Sequence, residues 1–244
     1  MKLTKRLAGI VFPPRCVVCR SPLPRDGMIC PGCERYVNHP DPSRSRCAVC
    51  FLPQKECVCG KKLYYEKLAA PFIGSTPAKQ SVYDMKFRQK LDLVKPLAHF
   101  MKLALDERDM TDGIDLITYI PMDRGRRFRK GFDHAEELAK ELAKLTGRPC
   151  AALLERRQKV PPQHSLKKRI LRSGNLLGVF EPVGKRLPDI AGKRILLVDD
   201  IATTGATFNE AAKTLMIFGA ETVYCACALL NPKPKQKKNR RRGR

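Results

Sequence analysis

The chain has 244 residues, with 48 basic and 24 acidic side chains and a formal net charge of +24. This length suits one α/β domain of moderate size with a small additional module, and the charge predicts a polyanionic partner, phosphate-rich ligands or both. Because no stretch approaches the ~20 apolar residues of a transmembrane helix, and the apolar run at residues 7–12 is too short for a signal-peptide core, we exclude a membrane span and expect a cytoplasmic protein with reduced thiols.

Cysteine pairs dominate the beginning of the chain. Eleven cysteines are present, and eight of them form close pairs before residue 60: Cys16, Cys19, Cys30, Cys33, Cys47, Cys50, Cys57 and Cys59. Two thiolates at such a spacing can turn onto one tetrahedral Zn²⁺. We therefore predict that residues 1–60 are a zinc-binding module, and that bound metal supplies much of its folding energy.

The pairing of these cysteines stays open at the level of sequence. Two sequential sites, two interleaved sites (first pair with third, second with fourth) and one true site with vestigial thiols all fit the spacing. The number of zinc ions is therefore one or two. His39 lies between the two sets, and we expect it to be a surface residue because eight thiols already suffice.

A larger domain is predicted from residue 61 to residue 231. It begins with a strand over Leu63–Ile73, followed by a helix over Ser81–Ala104 that breaks at Pro96. We assign the basic residues of this helix to a solvent-exposed face: Lys86, Arg88 and Lys90.

A buried strand over Ile114–Ile120 leads into a strongly cationic loop. Five of the seven residues from Arg124 to Lys130 are positive, and a helix over Asp133–Leu145 follows, with Asp133 and Glu136 forming a capping box. A loop after a strand's carboxyl end lies at the ligand edge of an open α/β sheet. The loop could therefore face a ligand bound at that edge, contact nucleic-acid phosphates, or do both. The residues assigned to nucleic acid here are Arg126, Arg127, Arg129 and Lys130.

Two further segments are polar and poorly periodic. Residues 153–180 are basic and irregular, which favours a lid over the active site. After a strand over Thr222–Leu230, residues 232–244 contain no apolar side chain except proline and are predicted to be a disordered basic tail. Its residues assigned to nucleic acid are Lys237, Lys238, Arg240, Arg241 and Arg242.

The most informative stretch is Ile195–Thr207. It opens with four aliphatic residues, typical of a parallel strand buried on both faces, and continues with Asp199 and Asp200. A hydroxyl-rich turn with one glycine then leads into a helix predicted over 208–218. Such a helix start attracts anions, and paired acids can accept hydrogen bonds from vicinal ribose hydroxyls and attract Mg²⁺ through water. A sugar phosphate is the predicted ligand. The alternative is an ordinary turn with acidic caps.

This stretch resembles the 5-phosphoribosyl-1-pyrophosphate (PRPP) motif of type I phosphoribosyltransferases. Three further features resemble the ComF family, competence-associated phosphoribosyltransferase-like proteins linked to DNA uptake in natural transformation. The first feature is the cysteine module. The second runs from Pro121 through Arg124, Gly131 and Phe132 to Ala135. The third is the series Arg157, Gln163, Leu166, Arg172, Asn175 and Phe180.

The resemblance implies an α/β fold, a parallel sheet with helices on both faces, preceded by the zinc module. It also implies that PRPP binds with Mg²⁺, that Asp199 and Asp200 position the ribose as catalytic residues, and that the turn holds the 5′-phosphate. Arg124 and its neighbours would hold the pyrophosphate. The PRPP-binding set is completed by Ala202, Thr203, Thr204, Gly205, Thr207 and Asp123.

The chain departs from the family at residues 130–134, where Lys-Gly-Phe-Asp-His replaces Arg-Gly-Phe-Asn-Gln. Lysine lacks the bidentate phosphate fork of arginine, and Val160 stands where threonine is common, so transfer to an acceptor stays open. His134 is expected on a helix surface rather than as a general base.

Two functions follow from these features. The leading hypothesis is a PRPP–Mg²⁺-binding protein in DNA uptake or processing, with a possible helicase or other competence protein as partner. The alternative is a non-catalytic nucleic-acid-binding adaptor that keeps the PRPP pocket as a sensor. Phe128 and Phe132 lie among cations and could stack on unpaired bases, which favours single-stranded DNA, although we expect Phe132 to pack the loop onto the core. An ordinary purine-salvage enzyme is disfavoured, since it needs neither eight cysteines nor this charge.

Overall fold

The structure is a computed structural model that describes residues 14–23, 27–37, 46–52, 54, 57, 59, 62–74, 76–157 and 178–232. Its main sheet comprises β1 Leu68–Ala69, β2 Phe72–Ile73, β3 Leu116–Tyr119, β6 Arg194–Ala202 and β7 Thr222–Leu230. All of these strands are parallel. Both β1 and β2 pair with one side of β7, β6 pairs with its other side, and β3 pairs with β6. An antiparallel ribbon comprises β4 Leu154–Arg156 and β5 Phe180–Pro182.

Five α-helices lie within the described part of the chain. They are α1 Ala78–Arg88, α2 Val94–Asp106, α3 Arg124–Lys130, α4 His134–Thr146 and α5 Ala206–Ile217. Short 3₁₀ turns occupy Pro31–Tyr36, Leu91–Leu93 and Gly184–Asp189. Within the described ranges no helix combines the length and hydrophobicity that crossing a bilayer requires.

Strand β6 is the centre of the fold. Leu196 and Val198 pack into a core with α1, α2 and α4, whereas Ile195 and Leu197 pack into a second core with α5. Successive side chains of a strand point to opposite faces, so a run of aliphatic residues buries both. The predicted parallel sheet with helices on both faces is confirmed. We call its two sides the α1 face and the α5 face.

The cysteine-rich region packs on both faces of this sheet. Val17 and Val18 belong to the core of the α1 face, and Phe51 and Leu52 to the core of the α5 face. Each half therefore shares its apolar contacts with the larger domain. The predicted division at residue 60 stays a prediction, and His39 lies outside the described residues.

Three predicted elements are wrong in detail. The strand over residues 63–73 is two short strands, because Pro71 between them cannot donate a ladder hydrogen bond. The helix over residues 81–104 breaks at Gln89, which has a φ of 56°, and not at Pro96. Pro96 is the third residue of α2, where a backbone N–H has no partner within the helix.

The third error concerns the cationic loop, which is helix α3. Helix α4 begins at His134, close to the prediction, and Asp133 caps it. The segment predicted as a lid and the basic tail lie largely outside the described residues, at 158–177 and 233–244. Their predicted roles therefore stay predictions.

Candidate functional site

Asp199 and Asp200 lie inside β6, near its carboxyl end, because the strand continues to Ala202. We call Asp199 and Asp200 the acid pair. By strand alternation Asp200 points to the α1 face and Asp199 to the α5 face. The backbone N–H of Asp200 donates to Asp199 Oδ1 at 2.8 Å, which ties the two residues together. The acid pair thus straddles the carboxyl end of the central strand.

Lys86 pairs with Asp200. Its Nζ lies 2.7 Å from Asp200 Oδ1, and Asp200 is only 4 % exposed. The prediction of a solvent-exposed basic face is therefore wrong for this residue. Its neighbours Arg88 and Lys90 both pair with the buried carboxylate of Asp84. The cation from α1 offsets one of two adjacent negative charges at the strand end.

Asp199 is the acid whose ionisation is disfavoured. Burial, reinforced by the negative charge of Asp200, raises the pKa of Asp199 well above its usual range, while Lys86 acts in the opposite direction. Two carboxylates in contact cannot ionise independently. A bound cation or hydroxyl donor near Asp199 would therefore favour its ionised form.

The turn after β6, which we call the threonine loop (residues 203–207), forms the start of α5. Gly205 is the N-cap residue, with a φ of 71° that favours glycine. A Cβ at this position would also lie 2.9 Å from Tyr65 Oη, so both backbone and space require glycine. Thr204 and Thr207 are exposed, which leaves their hydroxyls open to a ligand.

A cavity of about 590 Å³ lies between the ends of β6 and β3. Of the residues predicted to bind PRPP, it brings together Asp123, Asp199, Asp200 and Thr207. Ala202, Thr203, Thr204 and Gly205 belong to the adjoining strand end and loop. Three residues that sequence reasoning did not assign to the site also line it: Lys86, Asp133 and Arg156. Ile120, Pro121, Met122, Ala135 and Ile201 complete the lining.

Asp133 joins the end of β3 to α4. Its Oδ2 accepts from Met122 N at 2.7 Å and its Oδ1 from Ala135 N at 3.0 Å. Burial raises the pKa of Asp133, while these backbone hydrogen bonds lower it. The predicted cap is present, but Glu136 pairs with Arg127 and Lys140 instead of completing a capping box.

Arg156 forms the cationic side of the cavity. Its Nε donates to Pro121 O at 2.9 Å, and its guanidinium lies 5.0 Å from the centre of the Phe180 ring. These two contacts fix the plane of the guanidinium. An anionic group in the cavity would meet a cation that needs little reorganisation.

Helix α3 presents part of the predicted nucleic-acid set. Arg127 is half exposed and pairs with Glu136 at 2.7 Å, which reduces its availability for phosphate. Arg129 is exposed, and Phe128 is 92 % exposed. For Arg124, Arg126 and Lys130 the structure describes the backbone alone.

His134 is fully buried, so the expectation of a surface histidine is wrong. It is the first residue of α4, and its ring packs edge-on against Phe132 at 4.9 Å between centroids. The ordinary role of Phe132 in packing is consistent with this contact.

The eight paired cysteines form two clusters that are sequential along the chain. The first cluster comprises Cys16, Cys19, Cys30 and Cys33, and the second comprises Cys47, Cys50, Cys57 and Cys59. Within each cluster the four sulfurs lie within 4.8 Å of one another, which fits a tetrahedral zinc site with bonds of about 2.3 Å. Each cluster could hold one structural zinc ion, and the interleaved pairing is wrong.

The pKa values within the first cluster differ, since burial raises the pKa of the Cys33 thiol. Hydrogen bonds with Ser21 lower the pKa of the Cys19 thiol to about 6. A thiolate is the form that binds Zn²⁺. Zinc at either cluster would be structural and not catalytic, because four thiolate ligands leave no open coordination position. Its role would be to stabilise the fold.

Lys86 and Arg156 were missed although the sequence carries a weak signal for each. Lys86 lies one turn after the buried Val82, so helical periodicity places it near the apolar face of α1. Arg156 lies two residues after Leu154, on the same side of its strand. Both signals are easily overridden by the general rule that long cations are exposed.

Comparisons with known proteins agree with this architecture. The phosphoribosyl transferase domain family matches residues 129–242. The DNA utilization protein YhgH of Salmonella typhi is 30% identical over 236 residues, which cover 91% of this chain and 100% of that protein. Competence protein F of Haemophilus influenzae is 28% identical over 225 residues, 86% of this chain and 93% of that protein. Competence protein ComFC of Streptococcus pneumoniae is 38% identical over 104 residues, 43% of each chain.

Proposed function

The chain belongs to the ComF family of phosphoribosyltransferase-like proteins, and on that premise we propose that it binds PRPP with Mg²⁺ in a role in DNA uptake or processing. The observation that carries the proposal is the acid pair, held by Lys86 at the end of β6 and facing the cavity of about 590 Å³. The names of the relatives, which refer to DNA utilization and competence, support the DNA role.

Each wall of the cavity suits one part of PRPP. The threonine loop and the start of α5 offer backbone N–H groups and hydroxyls to the 5′-phosphate. The acid pair accepts hydrogen bonds from the ribose hydroxyls, and Lys86 limits its repulsion of the phosphates. Asp123 and Arg156 also line the cavity, and we assign the pyrophosphate to them and to Arg124, which belongs to the same segment as Asp123. Mg²⁺ would neutralise part of the pyrophosphate charge.

Transfer, where an acceptor is present, would follow from this geometry. The acceptor's lone pair forms a bond to the anomeric carbon, and the bond from that carbon to the pyrophosphate oxygen breaks. Pyrophosphate leaves with the electron pair, and the carbon passes through an oxocarbenium-like state with inversion. The acid pair stabilises the positive charge that develops on the ribose.

The binding proposal is tested by thermal unfolding with and without PRPP and Mg²⁺. A ligand that binds only the folded state stabilises it, by about 2.7 kcal/mol at a hundredfold excess over Kd. The double variant Asp199→Asn, Asp200→Asn should lose this stabilisation while its unliganded melting point stays close to that of the wild type. A PRPP response of wild-type size in the double variant would remove the acid pair from the site.

A second candidate function is the nucleic-acid-binding adaptor. It is favoured by the net charge of +24 and by Phe128, which is 92 % exposed next to Arg127 and Arg129. Backbone contacts by arginine and lysine give salt-dependent binding without sequence preference.

Truncation before Lys233 should lower affinity for single-stranded DNA and flatten its salt dependence without changing the PRPP response. If the truncated and full-length proteins bind DNA equally at several salt concentrations, the tail has no such role.

A further inference from the structure

One short segment connects the second cluster to the threonine loop. It comprises residues 62–65, which we call the brace, and it begins three residues after Cys59. The side chain of Asn209 on α5 fixes it from both sides. Asn209 Oδ1 accepts from Tyr64 N at 2.7 Å, and its Nδ2 donates to Lys62 O at 3.2 Å. The backbone N–H of Asn209 in turn donates to Gly205 O at 2.8 Å.

The brace is anchored at its other end by the second cluster. Cys50, Phe51 and Leu52 share the core of the α5 face with Tyr65. The backbone N–H of Leu68, just after the brace, donates to Val49 O at 2.9 Å. The segment is therefore held between the cluster and the first turns of α5.

Tyr65 ends the brace directly beneath the threonine loop. The residue is 4 % exposed, and its hydroxyl has no hydrogen-bond partner among the described residues. A Cβ built on Gly205 would lie 2.9 Å from that hydroxyl, so the oxygen is next to the loop backbone. A buried hydroxyl without a partner destabilises the state that contains it. Phenylalanine would fill the same space without this cost.

We propose that Tyr65 and Asn209 are positioning residues of the phosphate site, and that the Tyr65 hydroxyl gains its hydrogen-bond partner when the threonine loop closes around a phosphate group. The partner is a loop carbonyl or a phosphate oxygen. Asn209 keeps the brace in register with the start of α5, so that the phenol stays below Gly205. This inference rests on the proposed function, because it assigns residues to the same site.

The test compares Tyr65→Phe with Tyr64→Phe, the same change one residue earlier on a partly exposed ring. Titration calorimetry with PRPP and Mg²⁺ gives the affinity, thermal unfolding gives the unliganded stability, and elemental analysis gives the zinc content. Tyr65→Phe should bind PRPP roughly tenfold more weakly, the value of about one hydrogen bond, with an unliganded melting point equal to or above that of the wild type. Tyr64→Phe should change neither quantity.

Asn209→Ala provides an independent variant that removes both side-chain hydrogen bonds of the brace. It should retain zinc and bind PRPP at least as weakly as Tyr65→Phe. Wild-type affinity in Tyr65→Phe and Asn209→Ala would overturn the inference, as would a lowered melting point of Tyr65→Phe with unchanged affinity, the sign of a purely structural role. If the wild type itself gives no PRPP signal, the proposed function fails and this inference with it.

Discussion

The two cysteine clusters use the same chemistry on opposite faces of one sheet. The first cluster lies on the α1 face. There Arg20, the residue after Cys19, pairs with Asp92 at 3.3 Å in the turn between α1 and α2. The second cluster lies on the α5 face, where the guanidinium of Arg108 stacks over the ring of Phe51, 4.6 Å from the ring centre. Both contacts involve residues that flank α2, whereas the apolar side chains of the two clusters join different cores.

The difference between the clusters corresponds to a difference between the walls of the cavity. The first cluster lies against the turn between α2 and α1, the helix that carries Lys86. The second leads through the brace to Gly205 and the threonine loop. If the cavity binds PRPP as proposed, the first cluster lies toward the side that would hold the ribose, and the second cluster toward the side that would hold the 5′-phosphate.

The largest expected effect comes from removing a buried ligand of either cluster. We predict that Cys16→Ser and Cys50→Ser each lose one zinc ion and most of the folded population. Structural zinc contributes about 10 kcal/mol or more, comparable with the whole stability of a domain, about 5–15 kcal/mol. Elemental analysis and thermal unfolding provide the measurements.

Cys150→Ser is the control for this pair, since Cys150 belongs to neither cluster. The Cys150→Ser protein should keep the zinc content and the melting point of the wild type. A Cys16→Ser or Cys50→Ser protein that is fully folded without the metal would show that the corresponding cluster is not a structural site.

A smaller effect is expected from Lys86, the residue of α1 that lies beside the acid pair. Lys86→Met keeps the apolar stem but removes the partner of Asp200, so unliganded stability should fall by about 1–3 kcal/mol and PRPP should bind roughly ten- to a hundredfold more weakly. Lys90→Met is a matched control, because it breaks an ion pair with Asp84 outside the cavity. Calorimetric titration of both variants measures the difference. Equal PRPP affinities for the two would place Lys86 outside the site.

The smallest expected effect is a dependence on pH with opposite signs for stability and binding. Because Asp199 and Asp133 have raised pKa values in the fold, their contribution to stability is full below the ordinary pKa of 3.8 and is lost as pH rises through the raised values. Hydrogen bonds from Arg194 lower the pKa of Asp115, whose contribution is lost only as pH falls below the ordinary value. The pH range over which Asp199 and Asp133 lose their stabilising contribution therefore lies above that over which Asp115 loses its own.

Binding should show the reverse trend, since the ionised form of Asp199 accepts hydrogen bonds from ribose and attracts Mg²⁺. The stabilisation by PRPP should grow as pH rises from about 4 toward neutrality, and Asp199→Asn should flatten that growth. Melting curves over this range test both trends. A PRPP response that is constant with pH would contradict the role of Asp199.

Much of the central strand and its turn could be predicted because the signals are local. The aliphatic run of β6 and the hydroxyl-rich turn fix a buried strand and a helix start without reference to the rest of the chain. Helix α5 begins two residues before its predicted start, at Ala206. The fold class was implied by the family resemblance that these local motifs carry, and the family match supports it.

The remaining site could not be predicted, since it depends on contacts between distant segments. The pairing of Lys86 with Asp200 spans 114 residues. Helix α3 was predicted as a loop, and the pairing of its Arg127 with Glu136 on α4 offsets part of its dense positive charge. The spacing of the cysteines allowed several pairings, and packing on opposite faces of the sheet separates the two clusters.

A crystal structure of the protein with PRPP and Mg²⁺ tests the central claim most directly. We predict the 5′-phosphate at the start of α5, within hydrogen-bond distance of the threonine loop, with the ribose hydroxyls on Asp199 and Asp200. The pyrophosphate should extend toward Asp123 and Arg156. PRPP bound outside this cavity, or bound with its ribose turned away from the acid pair, would contradict the account.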